Sequence, residues 1–282
     1  MNIFGYQKKD DPPESPVIRF LYTSMPGRLL LKVLVNPKVS VLCGRFLSSP
    51  ASRFLIPRFI SRHGINMSRY VIPVGGYDSF NSFFIRKIKT PIRFSSDSRI
   101  IAPCDGMLSI YSITDDSIFT IKNSQYSVPD LIMNSQFSKK YLGGTALIFR
   151  LTPAHYHRYV YCTDGVIQKT KRINGILHSV RPICIASTEV FVRNSREYII
   201  IDNPDIGHII QMEIGALLVG HISNHPLPKD NRIHMGDEKG FFEYGGSTII
   251  ILIPPEIAIS PELRIYQNTG AEIPTVQGYQ IT

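Results

Sequence analysis

The chain has 282 residues with 43% hydrophobic content, enough to bury the core of one large domain with an appendage. Its four cysteines show no spacing typical of zinc ligands or of a disulfide framework, and its longest apolar run, Ile249–Ile253, is too short to span a bilayer. We therefore expect no metal site, no disulfides, no transmembrane helix and a reducing compartment.

The positive charge of the chain is concentrated in its N-terminal quarter. No acidic residue lies between Glu14 and Asp78, and this stretch carries nine cations, as many as the whole net charge of +9. They are Arg19, Arg28, Lys32, Lys38, Arg45, Arg53, Arg58, Arg62 and Arg69. Clusters of Leu, Val, Phe and Ile separate them, and four prolines divide the stretch into short helical pieces.

Short basic amphipathic helices are typical of segments that lie in an anionic membrane interface, where each cation contributes about 1 kcal/mol. The alternative is a helical bundle that packs on the core and presents a solvated basic face. Nucleic acid is not expected as a partner, because the stretch is mostly aliphatic and has few aromatic residues for base stacking.

Residues 1–15 are polar and predict a loose arm ahead of this basic region. Farther along, Tyr77–Lys89 predicts a short helix with Ser79 as its N-cap and with phenylalanines at helical spacing. From Ile100 onward, short runs rich in β-branched residues alternate with turn clusters such as CDG, TDG, ING and YGG, and VPDLIMN is the clearest helix among them.

The sequence therefore predicts an α+β fold in two parts. Residues 1–70 form short amphipathic helices that contact a membrane, and residues 71–282 form a β-dominated catalytic domain.

Several stretches of the β-rich part carry side chains capable of chemistry. APCDG places Asp105 on a turn, although Asx-turn chemistry alone explains an Asp-Gly pair. TPAHYHRYVY places His155 and His157 on one face if it is a strand; without a nearby carboxylate or cysteine, general acid–base work is more economical than metal binding. A structural role for at least one of the two histidines is also expected.

Arg181 and Arg196 are candidates for holding an acidic group, although each alone is typical of an ordinary surface arginine.

The last stretch, YGGST, places two glycines and a serine directly before a buried strand. A tight turn requires the glycines but does not explain the hydroxyl directly after Gly246. The Oγ atom of Ser247 can attack the Gly246 carbonyl carbon and convert the peptide bond to an ester, because glycine offers no steric hindrance. Elimination then leaves dehydroalanine, which hydrolyses to a pyruvoyl group, a ketone that forms a Schiff base with an amine and withdraws electrons from its Cα.

Seven stretches together resemble the phosphatidylserine decarboxylases, in their order and spacing. They are FNSFFIRKIK, APCDG, IKNSQYSV, YHRY, NSREY, MEIGALLVGHI and GDEKGFFEYGGSTIIIL. The resemblance covers roughly residues 50–255 and is most specific at Met235–Leu252, where the family's GDEKG…GGST pattern is complete.

The resemblance implies a proenzyme that cuts itself between Gly246 and Ser247, giving a β chain of residues 1–246 and an α chain of residues 247–282. Ser247 would become the covalent pyruvoyl group, the only cofactor expected. The substrate would be phosphatidylserine at an anionic membrane surface, and the products phosphatidylethanolamine and carbon dioxide. Peripheral association with the cytoplasmic face of the cell membrane is implied as well, and a homodimer is left open.

In the resembled family, self-cleavage uses an Asp-His-Ser arrangement in the style of a serine protease. Asp105 matches the aspartate and Ser247 the serine. This sequence departs from the family's usual DYHRxH motif. Val160 occupies the position of the second histidine, which is the catalytic base in the family, and valine cannot move a proton. His157 matches the first histidine, which the family uses in decarboxylation, and His155 replaces the usual aspartate.

Three interpretations of this departure stay open. His157 serves both steps, another histidine such as His155 replaces the missing base, or the proenzyme matures slowly or not at all. For the lipid phosphate, Arg158, Lys122 and Arg196 are candidates among which the sequence does not choose. Two alternative functions are a decarboxylase of a related serine phospholipid and a catalytically impaired homologue that acts as a membrane-binding module.

Overall fold

The N-terminal region folds into short helices, several of which have a proline in their first turn. The computed structural model describes residues 16–121, 124–180, 184, 189–216, 221–245 and 247–282. Its first helices are α1 (Pro16–Thr23), α2 (Met25–Leu34), α3 (Pro37–Leu47) and α4 (Leu55–His63). The prediction of short N-terminal helices is confirmed. Pro26 and Pro37 lie in the first turns of α2 and α3, but Pro57 lies inside α4 and does not separate two helices.

Local capping explains these boundaries. The Ser24 hydroxyl accepts a hydrogen bond from the Gly27 N–H at 3.0 Å at the start of α2, and Asn36 caps α3 in the same way. Helix α4 ends at Gly64, whose φ of 60° is the left-handed conformation that favours glycine. Three 3-10 turns cover Pro50–Phe54, Met67–Arg69 and Lys139–Tyr141.

The short aromatic helix α5 (Phe80–Phe84) confirms the prediction of an N-cap at Ser79. The Ser79 side chain accepts from the Ser82 N–H at 3.1 Å, and the Ser82 hydroxyl accepts from the Ser79 N–H at 3.0 Å. The remaining helices of the described residues are α6 (Val128–Ile132), α7 (Ser135–Ser138), α8 (Val190–Arg193) and α9 (Pro261–Arg264). The predicted VPDLIMN helix is thus confirmed as α6.

The rest of the chain is dominated by antiparallel strands, which confirms the predicted α+β class. They are β1 (Gly106–Ser112), β2 (Ile118–Ile121), β3 (Ser124–Ser127), β4 (Thr145–Leu151), β5 (Arg158–Val160), β6 (Gly165–Ile173), β7 (Arg196–Asn203), β8 (Gly207–Ile214), β9 (Ile222–Asn224), β10 (Arg232–Ile233), β11 (Glu238–Phe242), β12 (Ser247–Ile253) and β13 (Ile273–Thr275). An eight-stranded sheet has the order β10-β6-β7-β8-β12-β4-β1-β13, a three-stranded sheet the order β5-β11-β9, and β2 pairs with β3.

Strand β12 lies in the middle of the large sheet, and all seven of its residues are buried. Its side chains alternate between two hydrophobic clusters, with Ile250 and Leu252 on one face and Ile249, Ile251 and Ile253 on the other. Both faces are covered, which explains an uninterrupted aliphatic run instead of an alternating pattern.

The two covered faces have different partners. Leu21 from α1 and Leu31 from α2 join the cluster that contains Ile250, together with residues of α6 and α8. Tyr159 of β5, Phe242 of β11 and Ile222 of β9 join the cluster that contains Ile249. The three-stranded sheet therefore packs against the second face of the large sheet.

A third cluster, which we call the aromatic cluster, joins the helical region to the β-rich part. It contains the buried residues Leu47, Ile65, Tyr70, Tyr77, Phe80, Phe83, Phe84 and Tyr156, with Phe59 and Tyr244 packed against them. Within the described residues, no helix has both the length and the apolar character needed to cross a membrane.

Candidate active site

Ser247 is the first residue of β12, where the central strand of the large sheet begins. It lies opposite Leu151 of β4 and is fully buried. Its Oγ atom has no hydrogen-bond partner among the described residues. Gly246, the residue on the other side of the predicted cleavage bond, lies outside the described residues. A buried hydroxyl without a partner costs free energy, because it loses the hydrogen bonds that water would supply. Such a cost is typical of a residue with a functional role.

His157 immediately precedes β5 and is fully buried beside the turn that leads to Ser247. Its Nδ1 donates to the His155 carbonyl oxygen at 2.9 Å, because a carbonyl can only accept. In the neutral imidazole Nε2 therefore carries a lone pair, and this buried atom makes no hydrogen bond of normal geometry among the described residues, although the backbone of Gly245 lies close to the ring. The Phe242 N–H donates to the His157 carbonyl oxygen at 2.9 Å, which ties this residue to β11.

The surroundings of His157 favour its neutral form. Burial lowers the pKa of the imidazole well below its ordinary value, and the nearby Arg86 cation lowers it further. Hydrogen bonding of the imidazole to the backbone of His155 and of Gly245 opposes this effect. Gly245 lies two residues before Ser247 in the chain. The side chain that can accept a proton thus lies at the turn that precedes the serine.

Asp105 lies on the turn before β1, also buried, but it does not contact His157 by a direct hydrogen bond. Its Oδ1 accepts from the Gln277 N–H at 2.9 Å, and the backbone of Tyr156 supplies a second hydrogen bond. Burial raises the pKa of the carboxyl, while these hydrogen bonds and the cations Arg69 and Arg86 lower it. The resemblance implies an Asp-His-Ser arrangement, but among the described residues no hydrogen bond joins the Asp105 carboxyl to the His157 imidazole.

Val160 occupies the motif position that carries the second histidine in the resembled family. It is buried, its N–H donates to the Pro103 carbonyl at 2.9 Å, and its carbonyl accepts from the Gln211 Nε2 at 3.0 Å. Its backbone thus joins β5 to the turn that carries Asp105 and to β8. His155, the other candidate base, accepts the Thr152 N–H on Nδ1 at 2.9 Å.

Arg86 and Tyr244 were missed by sequence reasoning. The Arg86 side chain is 1% exposed and lies over the Tyr70 ring at 4.4 Å, and its Nη1 and Nη2 point to the carbonyls of Phe84 and His155 at 3.3 and 3.5 Å. A cation between phenylalanine and isoleucine neighbours in FFIRKI is the one sequence signal that could have identified Arg86. The sequence carries no such signal for Tyr244, because the rings that it contacts, Phe80 and Phe84, are far from it in sequence.

The arginines proposed for the lipid phosphate make other contacts. Arg158 forms an ion pair with Glu238 at 2.6 Å and donates to the Ile85 carbonyl at 2.7 Å. Arg196 is buried and donates to the backbone carbonyls of four residues, so its interpretation as an ordinary surface arginine is wrong. Lys122 and Arg181 lie outside the described residues.

A buried ion pair also lies on the second face of the large sheet. Lys239, the lysine of the GDEKG stretch, is 1% exposed and pairs with the fully buried Glu213. Gln211 donates to Glu213 at 3.2 Å and also contacts Val160, as described above. Burial raises the pKa of Glu213, and the Lys239 cation opposes this effect. Because Lys239 lies on β11 and Glu213 on β8, the ion pair joins the two strands. Among the described residues, no group of His, Cys, Asp or Glu side chains could hold a metal ion.

The comparisons with known proteins agree on one family. The model of the family described as "Phosphatidylserine decarboxylase" matches residues 80–272. The phosphatidylserine decarboxylase proenzyme 2 of Clostridium acetobutylicum is 40% identical over 268 residues, which cover 94% of this chain and 90% of that protein. This chain belongs to the phosphatidylserine decarboxylase family.

Two further relatives carry the name phosphatidylserine decarboxylase proenzyme. That of Ruminiclostridium cellulolyticum is 35% identical over 271 residues, 94% of this chain and 90% of the relative. That of Clostridium novyi is 32% identical over 270 residues, 94% of this chain and 91% of the relative. The family model begins at the first residue of α5 and includes Asp105, His157 and Ser247, whereas α1 to α4 precede it.

Proposed function

We propose that this member of the family decarboxylates phosphatidylserine to phosphatidylethanolamine, after cutting its own chain between Gly246 and Ser247. Family membership supports the substrate, and the relatives' name, proenzyme, supports maturation by cleavage. The single observation that carries the cleavage is that two buried atoms, the Oγ of Ser247 and the Nε2 of His157, make no hydrogen bond of normal geometry among the described residues.

In the proposed cleavage, His157 acts as the base. Its Nε2 accepts the Oγ proton while Oγ attacks the Gly246 carbonyl carbon, and the peptide nitrogen leaves that carbon with a proton, so that an ester replaces the amide. Removal of the Ser247 Cα proton then breaks the Cβ–Oγ bond, and the electron pair leaves with oxygen as the carboxylate of Gly246. The dehydroalanine left at residue 247 tautomerises to an imine, and water hydrolyses the imine to the ketone with release of ammonia. No oxidant is consumed.

The residues present fit a pyruvoyl group made from Ser247. The group would supply a ketone that accepts electrons as the substrate carboxylate is lost. The chain's own residues enclose its position, because Ser247 and His157 are both fully buried and Phe84 covers the imidazole at a ring distance of 4.1 Å. Exclusion of water here favours proton transfer through His157 over transfer through solvent.

Asp105 is proposed to act as a positioning residue in this arrangement. Its carboxylate accepts from the backbone of Tyr156, the residue directly before His157. It also accepts from Gln277, which belongs to the α chain of the cut protein. The carboxylate therefore holds the two chains together beside the imidazole.

The two chains would remain associated after the cut. The α chain contributes β12, whose strand neighbours β4 and β8 both belong to the β chain, and it contributes β13 at the edge of the same sheet. Removing β12 would expose a strand that is buried on both faces, which opposes dissociation.

The helical region is proposed to bind the anionic membrane that holds the substrate. Helix α2 exposes Leu29 at 67% and Val33 at 58%, while Lys32 between them is also exposed. Helix α3 exposes Leu42 at 67% beside the exposed Arg45. Exposed aliphatic side chains interleaved with cations favour an interface with anionic lipid over open solvent.

Denaturing electrophoresis and mass spectrometry of the purified protein test the proposal. The wild-type chain should yield a C-terminal fragment that begins at position 247 with a ketone in place of serine, and it should release carbon dioxide from phosphatidylserine vesicles. Ser247→Ala should remain whole and inactive.

Ser260→Ala is the matched control, because the Ser260 hydroxyl is also buried without a partner among the described residues yet lies far from the turn in sequence. It should cut normally. A wild-type chain that turns over the lipid while uncut, with an ordinary serine at position 247, would contradict the proposal.

A further inference from the structure

The loop that precedes α5 exposes a run of apolar side chains. We call residues 71–76, with the sequence VIPVGG, the apolar loop. Val74 near its tip is fully exposed, and Val71 and Ile72 are each about half exposed. The loop lies outside residues 1–70, for which the sequence predicts membrane contact. Adjacent exposed apolar side chains, unlike single ones, are typical of a surface that binds a partner.

A tight turn fixes the tip of the apolar loop. The Gly76 N–H donates to the Pro73 carbonyl oxygen at 2.9 Å, and Gly75, the third residue of this turn, has a φ of 84°. A type II turn requires a left-handed φ at that position, which glycine adopts without strain. A Cβ added at Gly75 would meet no atom within 4 Å, so the tip projects into open space. The backbone of the turn therefore holds Val74 in its exposed position.

The base of the apolar loop is joined to the aromatic cluster. The Tyr77 hydroxyl donates to the Val71 carbonyl oxygen at 2.8 Å and closes the loop. The Tyr70 ring stacks on Tyr156 with centroids 6.0 Å apart, and Tyr156 directly precedes His157. The loop is thus anchored next to the chain segment that carries the proposed base.

Cations lie beside the apolar loop. Tyr70 and Ile88 form an antiparallel bridge and are at least partly buried, so their neighbours in sequence project to the opposite face. These exposed neighbours are Arg69, Val71, Lys87 and Lys89. The Nη2 of Arg53, which is also exposed, donates to the Gly75 carbonyl oxygen at 3.3 Å. The first acidic residue after Glu14 is Asp78, which follows the loop.

We propose that the apolar loop inserts into an anionic phospholipid bilayer and holds the aromatic cluster, with His157, at the lipid surface. Its aliphatic side chains would lie among the acyl chains, while the cations at its base would meet phosphates and carboxylates of the headgroups. The inference rests on the proposed function, since it takes the substrate to be a lipid of that bilayer.

The cations favour a bilayer over a second copy of this chain. A symmetric contact between two copies would place the same patch on both sides, and therefore set Arg53, Arg69, Lys87 and Lys89 against their own equivalents. Like charges that face each other across an interface are repulsive. An anionic lipid surface instead offers the opposite charge together with an apolar interior.

Tryptophan fluorescence tests the insertion directly, because the chain has no tryptophan of its own. Val74→Trp is prepared in mature protein and in uncut Ser247→Ala, and vesicles of phosphatidylserine and phosphatidylcholine are added. The emission should shift to shorter wavelength and be quenched by lipids that are brominated on their acyl chains. Ile265→Trp is the matched control, because Ile265 is 70% exposed directly after α9. It should show neither change. Changes in both variants, or in neither, would overturn the proposal.

Vesicle sedimentation measures how much the apolar side chain contributes. Val74→Ser should weaken binding by about tenfold, the effect of losing the burial of one aliphatic side chain. This ratio should be the same at low and high salt, because apolar burial is not screened. Ile265→Ser should bind like wild type. If Val74→Ser binds like wild type but lowers the oligomeric state in sedimentation velocity, the loop contacts protein and the inference is wrong.

The uncut background separates this inference from the proposed function. A wild-type chain that stays uncut defeats the proposed function, whereas insertion is still measured in Ser247→Ala. A chain that is cut, carries the ketone and releases carbon dioxide, but leaves the Val74→Trp emission unchanged on vesicles, defeats the inference alone.

Discussion

The helical region and the large sheet use similar aliphatic residues in opposite ways. In β12 all seven residues are buried, and no charged residue interrupts the run. In α2 only Gly27 and Leu31 are buried, while Met25 and Leu29 are exposed at 79% and 67%. The same apolar chemistry therefore builds a core in one region and a surface in the other.

The difference follows from where the cations lie. A strand without charges can be covered on both faces, and its burial stabilises the fold. Helices that alternate leucines with lysines and arginines can cover only one face with protein, and the other needs a partner that accepts both apolar and positively charged groups. The aromatic cluster lies between the two regions and joins the helices to the turn at Ser247.

The largest effect is expected inside the sheet region, at the proposed base. His157→Ala should slow self-cleavage by about 10²–10⁴-fold, the usual contribution of general base catalysis, measured as the rate at which the full-length band disappears. His155→Ala should slow it much less, because its Nδ1 already accepts the Thr152 N–H. A larger loss in His155→Ala than in His157→Ala would contradict the assignment of His157 and favour His155 as the base.

A second contrast compares core with surface. Ile250→Ala removes a fully buried side chain on the face away from Ser247 and should lower the free energy of unfolding by about 2–5 kcal/mol. Val33→Ala on the exposed face of α2 should change it by less than about 0.5 kcal/mol. Urea denaturation measures both, and a large loss in Val33→Ala would mean that the exposed face of α2 is covered by protein.

A smaller effect is expected for the cations of the helical region. Replacing Lys32, Lys38 and Arg45 together by glutamine should weaken binding to anionic vesicles by about 1 kcal/mol per charge, measured by vesicle sedimentation at low salt. The binding should weaken further as salt is added.

The matched control removes the same charge elsewhere. Lys169, Arg172 and Lys229 are also exposed, but they lie in the β-rich part of the chain. Their replacement by glutamine should leave vesicle binding nearly unchanged. Equal loss in the two triple variants would show that net charge, and not the helical surface, governs binding.

The smallest expected effect is a displacement of a pH profile. Burial and Arg86 lower the pKa of His157, so the imidazole stays neutral and self-cleavage should continue below pH 6.5, the ordinary pKa of histidine. Arg86→Met removes a cation that opposes protonation, and the acid limb of cleavage should move to higher pH. Arg264→Met, which removes an exposed cation at the end of α9, should leave the limb where it is.

Much of the fold could be predicted because its signals are local. The Ser79 cap, the short N-terminal helices and the buried run after Ser247 depend on residues within a few positions of one another. The partners of the site residues could not be predicted in the same way. Asp105 accepts from Gln277, which is 172 residues away in sequence, and nothing near either residue indicates the contact.

The sequence by itself determined the α+β class, the charge asymmetry and the Gly-Ser pair that suggested self-cleavage, because periodicity, composition and neighbouring groups are properties of short segments. Only the tertiary structure decided that Arg86 lies beside His157, that Asp105 contacts the backbone of Tyr156 instead of His157, and that Tyr244 is held by rings from α4 and α5. These contacts depend on how the helices and the two sheets pack, and side-chain packing between distant segments leaves no periodic signal in any one of them.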